Sequence, residues 1–219
     1  MIRYMGIHKD KVKISPLGVD TEIFRPAINE NIKIEKDMMR DKLGFKSSDI
    51  ICIYAGRFTY EKGVLVLAKA INYLNKKDKK YKALFVGNGI KYITQIIRNT
   101  PGCTIVPFVP NNKLPIFYQS ADIGVWPMQE STSMLDAAAC GLPIIVSNNT
   151  SIKERIEGNG LYYNEGNFHD LAKKIEFLSD YKYRKRMGDI GYKKMIEKYS
   201  WNCIAKNRIR DYHSRLQFL

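Results

Sequence analysis

The chain of 219 residues contains no apolar run near the ~18 residues a bilayer-spanning helix requires, so no transmembrane segment is expected. Its opening stretch, Met1 to Lys9, lacks the long apolar core of a secretory signal, and the expected location is intracellular. Cysteine is scarce. Cys52, Cys103, Cys140 and Cys203 form no paired spacing, which argues against a zinc site or a redox pair and favours small buried hydrophobes. Only three histidines occur (His8, His169, His213), and none falls in a turn that carries candidate chemistry. A serine- or cysteine-type triad therefore cannot be assembled. No internal repeat or low-complexity tract is evident.

Positive charge is abundant. Thirty-six Lys and Arg against 22 Asp and Glu give a formal net charge of +14. Such an excess is compatible with nucleic acid, an anionic membrane surface or phosphorylated small molecules. The lysines are scattered along helical segments, as at Lys76-Lys77, Lys173-Lys174 and Lys193-Lys194, with no compact basic arm and no aromatic-basic platform. Solvated helix faces account for most of them, and specific nucleic-acid binding is the weakest of the three readings.

Strand-like runs alternate with helical patterns. Lys11–Ser15 reads as a short strand, Ile50–Ala55 as a buried one, and Val64, Leu67, Ala68, Ile71 and Leu74 mark an amphipathic helix over about Glu61–Asn75. Strands follow at Lys82–Val86, Thr104–Val106, Ile123–Val125, Pro143–Val146 and Leu161–Tyr163, with helices at Ile90–Arg98, Lys113–Ser120 and Ser133–Ala139. Residues 29–48 read as a charged linker with a short helix. From about Phe168 the pattern is helical only, with Leu171, Ile175 and Leu178 in one helix and Trp201, Ile204, Arg208, Tyr212 and Leu216 in another. Regular alternation predicts an α/β fold, a doubly wound parallel sheet of Rossmann-like type with C-terminal helices.

Two turns carry candidate chemistry, each between a buried strand and a helix start, where phosphorylated ligands settle in open parallel sheets. In the first, Gly56 permits a sharp turn and close approach, Arg57 can fork two phosphate oxygens, and Lys62 adds a point charge. In the second, Ser131, Thr132 and Ser133 are cap-type residues ahead of a helix whose free N–H groups attract an anion. Asp136, one turn inside, could accept from a ribose diol, and Glu130 could face a sugar. Each turn also has an ordinary reading, as surface bases and as a plain capped helix. Gly87-Asn88-Gly89 is a weak fragment of a dinucleotide fingerprint because its third glycine is missing. Phe108-Val109-Pro110 is a post-strand turn whose backbone could pair with a base edge or simply form a loop.

Taken in order, several segments resemble the donor-binding, C-terminal half of the retaining family 4 glycosyltransferases, which have two Rossmann domains (the GT-B fold). They are Lys11 to Asp20 with Phe24 and Pro26, Ala55-Gly56-Arg57 with Glu61-Lys62-Gly63, and Phe85 to Gly89. Tyr118 to Asp122, Leu135 to Pro143, Gly158 to Tyr163 and Tyr199-Ser200-Trp201 complete the set. The resemblance implies a sugar transferase of the hexosyl type acting on a nucleotide-sugar donor. Arg57 and Lys62 would bind the donor diphosphate, backbone N–H groups around Thr132 to Met134 its terminal phosphate, Asp136 the ribose and the main chain at Val109 the base. Gly18 would let the chain pass close to the donor, and either Glu130 takes over the sugar contact or that contact is lost. The absence of an Asp-x-Asp pair weakens a metal-dependent transfer, so neither metal nor other cofactor is expected.

Two departures stand out. The family usually carries two glutamates separated by seven intervening residues before the Ala-x-x-x-Gly-x-Pro segment. Here the second is Asp136, Met128 occupies the position of the first, and Glu130 stands closer. Family members also place an acceptor-binding domain ahead of this one. Residues 1–28 are therefore expected to be the tail of a missing N-terminal half plus the incoming strand, 29–180 the nucleotide-sugar-binding domain and 181–219 the C-terminal helices. An acceptor-binding half or partner chain is implied, and Trp201 to Leu216 is expected to expose an apolar stripe. By the resemblance the setting is cytoplasmic, with peripheral contact at the inner membrane face through lipid-linked acceptors. A non-catalytic nucleotide-sugar-binding module is the alternative.

Overall fold

The structure is a computed structural model and describes residues 6, 12–13 and 15–216. The expected strand at 11–15 and the tail of residues 1–14 fall largely outside the described residues. Six parallel strands form one sheet in the order β3-β2-β1-β4-β5-β6. They are β1 (Ile50–Ala55), β2 (Tyr81–Val86), β3 (Cys103–Val106), β4 (Ile123–Trp126), β5 (Ile144–Ser147) and β6 (Gly160–Tyr163). The α/β doubly wound architecture read from the alternation is the one observed. β1 is buried at every position, as a β-branched and aromatic run covered on both faces must be.

The helices are α1 (Glu30–Lys42), α2 (Val64–Lys77), α3 (Lys91–Arg98), α4 (Pro115–Gln119), α5 (Ser133–Ala139) and α6 (Lys153–Ile156). They continue with α7 (Phe168–Leu178), α8 (Tyr181–Lys194) and α9 (Trp201–Leu216), a π-helical turn at Met195–Tyr199 joining the last two. The α2 stripe Val64, Leu67, Ala68, Ile71 and Leu74 is buried, as its spacing predicts. The expected helix start at Glu61 moves to Val64, because Gly63 takes a left-handed φ of 65° and turns the chain before the helix begins. The short helix read within the charged segment 29–48 is the 13-residue α1, with Asn29 accepting a capping hydrogen bond from the Ile32 N–H, and it takes up most of what was expected to be linker. The helix expected at Lys113–Ser120 is split into a 3₁₀ turn at Asn111–Lys113 and the short α4.

Asp122, just before β4, ties the amino-terminal side of the sheet to two helices. Its Oδ2 accepts from the Ile51 N–H at 2.9 Å and lies 3.4 Å from Arg40 Nη1 of α1. Its Oδ1 lies 3.5 Å from Arg184 Nε of α8. Arg40 is buried and also donates to the carbonyls of Ser120, Lys46 and Asp49, while Arg184 donates to those of Leu178 and Ser179. Helix α8 lies close on the α5 corner, where a Cβ at Gly188 would stand 2.0 Å from the Gly141 carbonyl oxygen. The first described stretch joins the far end through a parallel bridge, Val19 to Ser200. Of the row read along α9, Ile204 is buried while Trp201, Arg208 and Tyr212 are exposed, and Ile209, outside that row, is exposed as well.

Removing the Asp122 carboxylate leaves Arg40 buried without its counter-charge. Asp122→Ala is expected to lower the unfolding free energy by about 3 kcal/mol in urea titration. A loss within error of zero would show that the carbonyls alone satisfy Arg40.

Candidate functional site

The strand order reverses between β1 and β4. Cα pairing between them ends at Ile53 with Gly124, whereas β1 stays paired with β2 to Ala55 and Val86. The sheet therefore splits at its carboxyl edge. The Ala55 carbonyl that β4 leaves open accepts from Ser133 Oγ, at 3.0 Å, at the start of α5. Ser133 Oγ in turn accepts from Trp126 Nε1 at 3.1 Å and lies 2.8 Å from Ser131 Oγ. A hydroxyl has one proton, and that of Ser133 goes to Ala55, so Ser131 must be the donor between the two serines.

A cleft of about 390 Å³ opens over this split. From the β1 side it is lined by Gly56 and Arg57, from β2 by Gly87 and Asn88, and from β3 by Phe108 and Val109. Ser131, Thr132, Ser133 and Asp136 form the α5 side. Three inter-strand spacings of about 4.8 Å separate the β4 and β3 ends by roughly 14 Å, so the cleft is elongated across the sheet edge. Gly87 has a φ of 140°, and a Cβ there would meet the Gly56 carbonyl oxygen at 2.1 Å. The glycines once read as a partial dinucleotide fingerprint thus serve the close approach of the loops after β1 and β2, which remain bridged at Phe58 and Gly89.

Of the two expected cations, Arg57 lines the cleft and Lys62 is not among its lining residues. Arg57 is exposed in the cleft, its carbonyl fixed by the Tyr54 hydroxyl at 2.9 Å. Lys62 Nζ donates to the Glu130 carbonyl at 3.2 Å, spanning the split from the β1 loop to the β4 loop. Desolvation, and after it the like charge of Arg57, pulls the Lys62 pKa below the ordinary lysine value against the opposing pull of Glu61.

The α5 side departs from a plain capped helix. Thr132 at the cap position makes no side-chain cap bond. The Met134 and Leu135 N–H groups are taken by the carbonyls of Ser131 and Thr132, at 3.2 and 2.8 Å. The Ser133 N–H has only a long contact of 3.4 Å to Ser131 Oγ, and the Thr132 N–H has no partner among the described residues. The N–H groups open to an anion are therefore those of Thr132 and Ser133, and the expected contribution of Met134 is lost to its internal bond. Met134 itself is buried. With both serine protons committed, the Thr132 hydroxyl is the one left free in this turn.

Asp136 faces the cleft, and its carboxyl accepts no hydrogen bond among the described residues. Burial pushes its pKa up to about 7. Glu130 is differently placed. Its Oε1 accepts from Thr150 Oγ1 at 2.8 Å and from the N–H and hydroxyl of Ser151 at 2.6 and 2.9 Å. Burial works against its charge, but these bonds outweigh it and hold the pKa below the usual glutamate value. Glu130 lines a second, wider cavity of about 620 Å³ with Glu61, Met128, Asn149 and Glu165. Met128 packs over Gly63, whose Cβ, if present, would lie 2.5 Å from Met128 Cγ.

Gly18 stands apart. A Cβ there would meet Ile204 and Trp201 of α9 at 2.8 Å, and Gly18 does not line the cleft. The sequence reading singled out the turns Gly87-Asn88-Gly89 and Phe108-Val109-Pro110 but not the residues Asn88 and Phe108 themselves, which line the cleft. Asn88 Oδ1 accepts from the Phe108 N–H at 3.4 Å, linking the loops after β2 and β3. The glycines flanking Asn88 were the available signal.

An uncharacterized glycosyltransferase of Methanocaldococcus jannaschii is 27% identical over 96% of this chain and 56% of its own length. The UDP-Gal:alpha-D-GlcNAc-diphosphoundecaprenol alpha-1,3-galactosyltransferase of Escherichia coli is 29% identical over 72% of this chain and 43% of its own. The chain spans about half the length of the curated relatives it matches. Among solved structures, Anabaena HepE in complex with UDP has the same fold, with a TM-score of 0.81 at 16% identity over 97% of this chain and 60% of its own. The same protein has been solved with UDP-glucose. The profile of the glycosyl transferases group 1 matches residues 35–194, from within α1 to the end of α8. That stretch is well over half of the sequence, and the chain belongs to the glycosyl transferases group 1 family.

Proposed function

We propose that this chain is the donor-binding, C-terminal half of a family 4 glycosyltransferase of GT-B type. It holds the nucleoside diphosphate of a nucleotide-sugar while a hexosyl group passes, with retention, to an acceptor. The observation that carries this reading is the open cleft at the β1/β4 reversal, with Arg57 on one side and the unpartnered Thr132 N–H on the other. Arg57 and Lys62 stabilise the charge that grows on the diphosphate as it leaves, without a metal ion. The Thr132 and Ser133 N–H groups take its terminal phosphate. Asp136 accepts from the ribose. Val109, whose N–H and C=O make no hydrogen bond among the described residues, pairs with the base edge.

The relatives support the donor class, since one acts on UDP-galactose and another binds UDP-glucose. The first of these also acts on a lipid-linked diphosphate, which favours a role in cell-envelope glycan or lipid-linked saccharide synthesis at the cytoplasmic membrane face. Among the described residues no helix is long and apolar enough to cross a membrane. The acceptor site belongs to a second half or partner chain, and transfer requires the two to close over the substrates.

Glu130 gives a second reading its ground. Its carboxylate is engaged by the turn at Thr150 and Ser151, and Met128 stands where a sugar-facing glutamate is usual in the family. A binding module without turnover accounts for both. Nucleotide-sugar binding with neither transfer nor donor hydrolysis, when an acceptor half is supplied, would decide for the module.

Arg57→Ala and Lys62→Ala are each expected to weaken UDP or GDP binding by about 1.5–3 kcal/mol, ten- to hundredfold, with the fold unchanged. Calorimetric titration checks this, and undiminished affinity in either variant would remove that residue from the site.

The Asp136 carboxyl predicts a pH signature. Its folded pKa of about 7 lies above the ordinary aspartate value of 3.8. Folding therefore favours the protonated form, and the burden of ionising a buried carboxyl grows as pH rises from about 4 to 7 and then levels off. Asp136→Asn is expected to gain stability over the parent through that window, by several kcal/mol at most on the scale of ~1.4 kcal/mol per pH unit. Denaturant unfolding at pH 4, 5.5 and 8 measures it. A constant difference across the three would show that Asp136 titrates normally.

A further inference from the structure

Lys182 and Arg186 stand near the wrong end of their helix. They lie in the first two turns of α8. Beyond the Asp180 cap the first turn holds no acidic residue, and positive charge there opposes the helix dipole. Both are exposed, and neither makes an ion pair among the described residues. Aromatic rings flank them. Tyr181 is 68% exposed, and Phe177 and Tyr183, stacked with centroids 4.7 Å apart, are 45% and 44% exposed. The fold extends this patch. Helix α8 runs along the amino edge of the sheet, with Arg184 at Asp122 ahead of β4, Gly188 at Gly141 ahead of β5 and Gly191 at Asn159 ahead of β6. The connections entering β1, β2 and β3 reach the same edge. They bring Lys42 and Lys46, Lys76 and Lys79, and Arg98, all exposed and without a carboxylate partner among the described residues. Arg40 and Arg184 are spent on Asp122 and on carbonyls beneath, so the free charge lies on the outer face.

We propose that this amino pole of the sheet is a docking surface for an anionic lipid bilayer. Its cations complement acidic headgroups, and the aromatic-basic platform that the linear sequence lacks is assembled by topology. Six strand starts span roughly 24 Å, a breadth that suits a bilayer rather than one peptide segment. Nucleic acid fits less well, because base stacking needs open ring faces. Here Phe177 and Tyr183 cover one another, and the Arg184 guanidinium carbon lies 5.8 Å from the centre of the Tyr181 ring. Ring edges and hydroxyls remain, and with such an amphipathic edge tyrosine enters the headgroup layer. Contact through a lipid-linked acceptor would lie on the cleft side. This surface lies at the other end of the strands, about 20 Å from the cleft along β1, and leaves the cleft open to soluble donor. The proposal stands whether or not the cleft takes a nucleotide.

Vesicle cosedimentation tests it with two double variants of equal charge change. Lys182→Glu/Arg186→Glu alters this pole, and Lys91→Glu/Lys153→Glu alters exposed residues beyond the carboxyl ends of β2 and β5. The vesicles are phosphatidylcholine alone or phosphatidylcholine with a third of phosphatidylglycerol, at physiological salt. The parent is expected to bind the anionic vesicles only. The amino-pole pair should weaken that binding about thirtyfold, at about fivefold per charge, while the other pair stays near the parent. Tyr181→Ser should weaken it severalfold at unchanged net charge. Lys182→Glu suits the α8 dipole, so the fold is kept, and circular dichroism checks this. Equal losses in the two pairs overturn the proposal, because net charge alone would then draw the chain to lipid. Parental binding in the amino-pole pair also overturns it. So does a parent that binds neither vesicle, or one that holds single-stranded RNA at physiological salt in their place.

Discussion

One hydroxyl decides what the carboxyl edge of this sheet can do. Where the strand order reverses, β1 and β4 part after Ile53 and Gly124, and the Ala55 carbonyl is left facing a gap. A buried carbonyl without a partner is costly, and filling the gap with side chains would satisfy it at the expense of any cleft. The chain instead brings the first residue of α5 across, so that Ser133 Oγ serves Ala55 while Trp126 Nε1 and Ser131 serve Ser133. The split is held open and stitched at its base. Gly56, Arg57, Thr132 and Asp136 all take their positions from the two loops that this stitch joins.

The two ends of the same strands handle charge in opposite ways. At the amino end, Asp122 meets Arg40, Arg184 and the Ile51 N–H, and Arg40 spends further donors on three carbonyls. Such closure stabilises the packing of α1 and α8 and leaves little potential for a ligand. At the carboxyl end, Arg57 is exposed and Lys62 holds only a carbonyl. Like charge and desolvation both weigh on Lys62, and an incoming phosphate relieves the first of these. Only the second end is chemically open. Net charge of +14 says nothing about this contrast, because it counts Arg40 and Arg57 alike.

The strands and the cleft turns were legible because their signals are local. Ile50–Ala55 and Lys82–Val86 are apolar runs stopped by glycine, and Ser133–Ala139 is a helix with its observed bounds. What escaped was set by contacts far along the chain. Helix α1 has a weak apolar face and reads as only a short helix in a linker, because the contact that fixes it, Arg40 to Asp122, lies 82 positions away. The Ser131–Ser133 run reads as a cap, yet the Ser133 hydroxyl serves a strand carbonyl and an indole, and the Ser131 hydroxyl serves Ser133. Gly18 suggests closeness to a ligand, but Trp201 and Ile204 occupy that space. Phe108 and Asn88 belong to the cleft only because β3 and β2 are neighbours in the sheet, which residue spacing does not reveal.

The loop from Pro127 to Ser133 carries the glutamate departure noted in the sequence, and it is heavily tethered. Tyr163 donates to the Pro127 carbonyl, Lys62 to the Glu130 carbonyl, and Thr150 and Ser151 to the Glu130 carboxylate, while Ser133 is fixed from three sides. A polar loop with so many partners has little conformational freedom left to lose when a ligand arrives. Pre-organised donors around a developing negative charge need no rearrangement as the charge grows, and that is the condition under which they accelerate bond cleavage. On this argument the engagement of Glu130 by the Thr150 turn need not mark decay. It adds rigidity to the backbone that carries the Thr132 N–H.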